Sequence, residues 1–195
     1  MNKNLNPEKD YENYRWFFTS NDVLVIGGKS DEQNELVIKN FLRPEYTLMH
    51  TSAPGSSFMI IQSDKPSKKD LDETAIFTAC FSKQWKSSSS DITIDIFKGN
   101  QIYKVKSMKV GTFGVKGDKK TLKVKPELVL IIQKGKFRCV PNTIKEKVLA
   151  EIKRGKLSKQ EAAEKIAKKI RDKFHLPVSK EEIMRAIPSD NLSVK

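Results

Sequence analysis

The residues whose chemistry could define a task are few: two histidines, two cysteines, one glycine pair and a dense run of lysines. Gly27-Gly28 stands between an apolar run, Val23–Ile26, and a helical pattern, where glycines often cradle a phosphate. The spacing fits neither GxxxxGK[ST] nor GxGxxG. The next helix opens on Asp31-Glu32, whose carboxylates complement the helix dipole and would repel a phosphate. A tight strand-to-helix corner is the expectation. His50 opens the loop HTSAPGSS and could serve a nucleophile there. No GxSxG elbow and no nearby acid accompany it, so a structural role or an RNA contact competes with catalysis. His175 ends a helix, where an imidazole meets spare carbonyls. Two histidines and the isolated Cys80 and Cys139 leave no zinc constellation and no disulfide framework. Cys80 sits among Ala79 and Phe81 as a small core residue. Trp16 and Trp85 could stack on bases, but each flanks an apolar segment and suits the core. No cofactor and no metal are expected.

The lysines are the stronger signal. The 195 residues carry a net charge of +13, unevenly placed. Residues 98–138 hold twelve Lys and Arg against two Asp and Glu, while residues 1–97 are slightly acidic. Such asymmetry suits a polyanion; a merely solvated face is the bland alternative. Lys104/Lys106 and Lys123/Lys125 have i, i+2 spacing, which on a strand points each pair one way.

These side chains need a scaffold. Tyr11–Ser20 and Val23–Ile26 read as a hairpin about Ser20-Asn21-Asp22. Ser30 caps a helix from Asp31 with Leu36, Val37 and Phe41 on one face, ended by Arg43-Pro44. Tyr46–His50 and Phe58–Gln62 read as strands, Lys68–Trp85 as a second helix, and serines 87–90 as a loop. From Asp91 the period falls to two: Asp91–Phe97, Ile102–Lys106, Leu122–Lys125 and Leu128–Ile132 read as antiparallel strands. Three capping-box patterns follow, Thr143–Glu146, Ser158–Glu161 and Ser179–Glu182, so the tail reads as three helices, the first closed by Gly155. Ala163, Ile166, Ile170 and Phe174 form a narrow stripe that must dock on the sheet or on a partner.

Several ordered motifs resemble the NFACT-R domain family. Arg15-Trp16-Phe17 is similar to its FRWF, Val23–Glu35 to LVIGGRDAQQNE, Phe41–Pro44 to RYLRPGD, and His50–Ser57 to HADxHGASS. Ala79–Trp85 resembles AVCYSxAW, and Gly111–Gly117 with Lys119-Lys120 resembles GSFMIRGKKN. Ser52 and Pro54 replace the family's Asp and second His, which argues against a loop chemistry, and Asp118 is an insertion. The resemblance implies RNA binding. Large members are ribosome quality-control factors that engage stalled large subunits, and other relatives accompany tRNA-thiolation enzymes. The chain is too short for the further domains of the large members, and reads as a single-domain relative.

The resulting expectation is an α+β fold, a mainly antiparallel curved sheet with two helices packed on one side and a C-terminal helical tail. Residues 1–141 would form the NFACT-R-like domain and 142–195 a basic helical extension. The function would be non-catalytic binding of tRNA or ribosomal RNA, with the large ribosomal subunit as a further partner. Lys104, Lys106, Lys116, Lys119, Lys120, Lys123 and Lys125 would contact phosphates; motif position adds Lys29, Arg43 and His50. An enzyme of tRNA modification using His50 or Cys80, a tail-docking module and a DNA or acidic-membrane binder are the competing readings. The polar start lacks the apolar core of a secretion signal and no run is long enough to span a membrane, so a cytoplasmic home is expected.

Overall fold

The computed structural model describes residues 10–87 and 90–195. The polar start at residues 1–9, with its non-secretory reading, and Ser88 and Ser89 of the serine loop lie outside the described residues. The chain runs β1 (Arg15–Phe18), β2 (Leu24–Gly27), α1 (Asp31–Phe41), β3 (Thr47–Thr51), β4 (Met59–Ile61), α2 (Lys68–Cys80), α3 (Gln84–Ser87) and β5 (Ile92–Lys98). It continues β6 (Ile102–Tyr103), β7 (Gly114–Val115), β8 (Lys120–Val124), β9 (Leu128–Gln133), β10 (Lys136–Pro141), β11 (Ala150–Leu157), α4 (Lys159–Phe174), α5 (Lys180–Ala186) and β12 (Leu192–Val194).

Every strand pairing is antiparallel, in the α+β class expected. A six-stranded sheet has the order β1-β2-β4-β3-β5-β8, and a four-stranded sheet the order β10-β9-β11-β12. The two first helices do not share a side. Val37 of α1 packs with Ile26, Leu48, Ile60 and Phe97. Ala75 and Phe77 of α2 pack with Phe17, Val25, Met49 and Ile61, which alternate with the former set and so lie on the opposite face. The apolar runs LVI and MII carry the reason: strands without a polar alternate need cover on both faces. Leu36 of α1 is 45% exposed, and the helix instead buries Asn34 and Val37.

α2 is sandwiched between the sheets, meeting β3, β4, β5 and β8 on one side and β9 and β10 on the other. It ends at Cys80, and α3 is a separate short turn, so the helix expected through Trp85 is broken at Phe81. Trp16 and Trp85 are both buried in the core.

The tail departs most from expectation. Residues 150–157 form β11 rather than a helix, pairing with β9 and β12. Ala150 and Ile152 are buried while Glu151 is exposed, a strand alternation inside helix-favouring residues. The unpaired edge of β9 outweighs local propensity, which is a weak prior. Gly155 lies at a register irregularity, where a Cβ would come 2.5 Å from the carbonyl oxygen of Leu192. Ser158 and Ser179 do form the expected capping boxes of α4 and α5. Ile166, Ile170 and Ile183 pack on Leu130, Cys139 and Ile152, so the tail docks on its own sheet.

The outer edge of β1 is joined to the second sheet by side chains. Gln133 accepts from Phe18 N at 2.7 Å and donates to Phe18 O at 2.8 Å. Arg138 donates to Trp16 O from Nε at 3.2 Å and Nη2 at 2.7 Å. These bonds satisfy an edge that would otherwise be buried unpaired.

Candidate nucleic-acid interface

The corner at Gly27-Gly28 is steric. A Cβ on Gly27 would lie 2.3 Å from Met59 Sδ, and one on Gly28 2.6 Å from Asn34 N. Ser30 Oγ accepts from Gln33 N at 3.3 Å, so α1 is capped from within the chain.

The seven candidate lysines among residues 104–125 do not form one free patch. Lys104 pairs with Glu35 and donates to the carbonyls of Lys109 at 2.7 Å and Thr112 at 2.9 Å. Glu35 also accepts from Gly111 N at 2.9 Å. The Lys104 hydrogen bond, with that of Gly111, holds the Glu35 carboxyl below the usual range. Lys104 is thus a clasp fixing the loop between β6 and β7 onto α1. Lys119 lies 2.6 Å from the buried Asp95, and Lys125 2.8 Å from Glu127, which Lys153 also approaches at 3.4 Å.

Lys106, Lys116, Lys120 and Lys123 are exposed and have no carboxylate within 4.0 Å among the described residues. Lys116 lies over the Tyr103 ring at 5.3 Å. Lys104 and Lys106 follow the end of β6, and Lys125 follows that of β8, so the i, i+2 argument does not apply to either pair. On β8, the sheet's free edge, Lys120 stands opposite Ile96 and Lys123 opposite Thr93, on alternate faces.

Of the other three candidates, Arg43 is exposed over the Tyr46 ring at 5.3 Å. His50 is packed against Phe58, and its Nδ1–H donates to Thr51 O at 2.6 Å. Burial lowers its pKa, which keeps the ring neutral at neutral pH. Cys80 and Cys139 are fully buried, and burial pushes both thiols up, away from nucleophilic use. Lys29 belongs to a different place.

That place is a cleft of about 480 Å³ and an adjoining one of about 420 Å³, which share Arg15, Lys29, Phe81, Lys159 and Ile187. Besides Lys83, and Lys86 which pairs with Asp190 at 3.0 Å, five cations line them: Arg15 from β1, Lys29 after the corner, Arg138 from β10, Lys159 at the start of α4 and Arg185 in α5. Arg15 stacks on Phe81 at 4.6 Å and donates to its carbonyl at 3.1 Å. Arg138 stacks on Trp16 at 4.4 Å. Lys29 Nζ donates to Asn13 O at 2.9 Å. Lys159 N donates to Asp190 Oδ1 at 2.9 Å, which fixes the start of α4. Asp31 and Glu181 also line the clefts, yet none of the five cations has a carboxylate within 4.0 Å among the described residues.

Burial first, and then the neighbouring Arg138, bring Arg15 down to about 10; burial brings Arg138 to about 10 as well. Lys29 is lowered by burial and by Arg138, Arg15 and Arg185, and Lys159 by burial and Arg15. Sequence reading offered Lys29 as a phosphate contact by motif position alone, not as part of a cleft, and missed the other four. Arg15 stood in a quoted motif, whereas Arg138, Lys159 and Arg185 converge only through the second sheet and its helices.

Comparison with known proteins bears on both surfaces. The family model described as the NFACT protein RNA binding domain matches residues 13–117. A Drosophila melanogaster protein named as a ribosome quality control complex subunit NEMF homolog is 35% identical over 78 residues, 38% of this chain and 8% of that protein. The archaeal Rqc2 homolog aRqcH of Methanocaldococcus jannaschii is 29% identical over 126 residues, 61% of this chain and 19% of that protein. The matches thus span under a fifth of the length of either relative. The C-terminal structure of the fibronectin/fibrinogen-binding protein from Streptococcus suis shares the fold, with a TM-score of 0.52 at 23% identity over 58% of this chain and 45% of that one. Among the described residues no group of three or more metal-binding side chains occurs, and no helix is long and apolar enough to cross a membrane.

Proposed function

The chain belongs to the NFACT RNA-binding domain family, a binding rather than a catalytic module, and from that premise we propose that it engages tRNA or ribosomal RNA in ribosome-associated quality control. The relatives' names supply the pathway and the family supplies the ligand class. The observation that supports a phosphate-reading surface here is the state of the lysines around β6–β8. Lys106, Lys116, Lys120 and Lys123 have no carboxylate partner among the described residues, while Lys104, Lys119 and Lys125 are spent on Glu35, Asp95 and Glu127.

Free ammonium groups release counterions when they meet phosphates, at about 0.7 in salt exponent for each single-strand phosphate. Filter binding of single-stranded RNA across a salt series tests the assignment. Lys120→Ala with Lys123→Ala is expected to weaken binding to all sequences alike and to flatten the slope by about 0.7, because the two stand on alternate faces of β8 and one strand meets one of them. Lys104→Met, which removes a paired cation, is expected to leave the slope unchanged. Equal slopes for the wild-type chain and the Lys120/Lys123 variant refute the assignment. Crosslinking in cells with sequencing of the recovered RNA separates tRNA from ribosomal RNA.

A further inference from the structure

The cleft between β1, β10, α4 and α5 poses a separate question, because none of its five named cations has a carboxylate within 4.0 Å among the described residues. Arg15 uses Nη1 on Phe81 O, and Arg138 uses Nε and Nη2 on Trp16 O. The remaining guanidinium donors of both, Lys159 Nζ and the whole Arg185 head have no hydrogen-bond partner among the described residues. The Ser56 hydroxyl also lines the cleft; it accepts from Thr51 N at 2.9 Å and retains its own proton to donate.

The chemistry of the lining is specific. Two guanidinium forks favour a planar or tetrahedral oxyanion over a point charge. Phe81, Met184 and Ile187 add an apolar wall beside them. The combined space is that of small-molecule sites, which run roughly 300–1,000 Å³. It can admit one nucleotide, and a base-paired helix is too broad to enter.

We propose that this cleft is a phosphate site for a single nucleotide, either free or carried by a single-stranded RNA, assembled jointly by Arg15 and Lys29 from the first sheet and Arg138, Lys159 and Arg185 from the second sheet and its helices. The site is distinct from the lysines of β6–β8. It requires the tail, because Lys159 and Arg185 lie on α4 and α5, beyond the segment matched by the family model.

The test is calorimetric titration of the full chain with AMP and with adenosine, followed by competition of AMP against a labelled short single-stranded RNA. AMP is expected to bind and adenosine not to. Lys159→Gln with Arg185→Gln is expected to weaken AMP at least tenfold, and Arg185→Gln alone, an exposed change that leaves the fold intact, about threefold. Lys120→Ala with Lys123→Ala is expected to leave AMP binding unchanged whatever it does to RNA, so this site and the β8 surface fail independently. AMP displacing the RNA assigns the phosphate to the strand; AMP saturating without displacing it assigns a free nucleotide. Adenosine binding as tightly as AMP, no AMP binding at all, or equal AMP affinity in wild type and the folded Arg185→Gln variant overturns the proposal.

Discussion

The lysine-rich stretch around β6–β8 and the cleft beneath α5 are both cationic, and they are built in opposite ways. The first has its positive charges close in sequence, yet folding divides them. Three are paired with Glu35, Asp95 and Glu127, and two stand on alternate faces of β8. The second draws on residues 15, 29, 138, 159 and 185, far apart in sequence, and folding brings them together with no carboxylate within 4.0 Å of any of them among the described residues. Charge density along a chain therefore says little about charge density in space. What an anion meets is the charge that the protein has not already used.

That contrast can be tested from both sides. The largest expected effect is on Arg138, which serves the fold and the cleft together. Arg138→Met leaves Trp16 O without its two donors and should cost about 2 kcal/mol. Thermal unfolding should fall by about 4–8 °C, and an unchanged midpoint would show that the edge of β1 is satisfied in another way. Second, the unliganded cleft should be a stability cost at neutral pH. Burial holds Arg15 and Arg138 down at about 10 in the folded chain, below their unfolded value, so between the two the unfolded chain holds more protons and stability rises with pH. Below that window the cost of burying the two charges, and the Arg138 charge felt by Arg15, are present in full. Lys159→Gln with Arg185→Gln should then raise the midpoint by about 2 °C at low ionic strength, with the gain fading as salt is added. A lowered midpoint at low salt would contradict a strained cation cluster.

The smallest effect belongs to the paired lysines. Lys104 and Lys125 hold Glu35 and Glu127 below the ordinary carboxylate range, the hydrogen bond being the larger cause in each. Such carboxylates contribute stability above their unfolded values, about pH 4, and lose it as pH falls through the lowered ones. Lys104→Met with Lys125→Met should be slightly less stable than wild type at pH 7 and indistinguishable from it in acid below that range. A difference that persists in acid would mean the lysines act by packing rather than by charge.

Much of the first sheet was legible because its signals are local. The β1–β2 turn, the Ser30 cap and the stop at Arg43-Pro44 depend on neighbours in sequence. The sides taken by α1 and α2 were less so, although the unbroken apolar runs of β2 and β4 marked strands covered on both faces. Residues 150–157 misled because Ala, Glu, Lys and Leu favour a helix, and only the waiting edges of β9 and β12 make them a strand. The clasp of Lys104 on Glu35 spans 69 positions, and the cleft 170, so neither could be seen as a motif.

Lysine-selective acetylation with and without bound RNA, read residue by residue, tests most directly whether the cations that carry binding are those the fold leaves unpaired. Protection of Lys106, Lys116, Lys120 and Lys123 on β6–β8 and of Lys29 and Lys159 in the cleft is the predicted result, with Lys104, Lys119 and Lys125 unchanged. Protection spread evenly over all the lysines of residues 104–125, or confined to the outer face of α4 at Lys165 and Lys168, would contradict it.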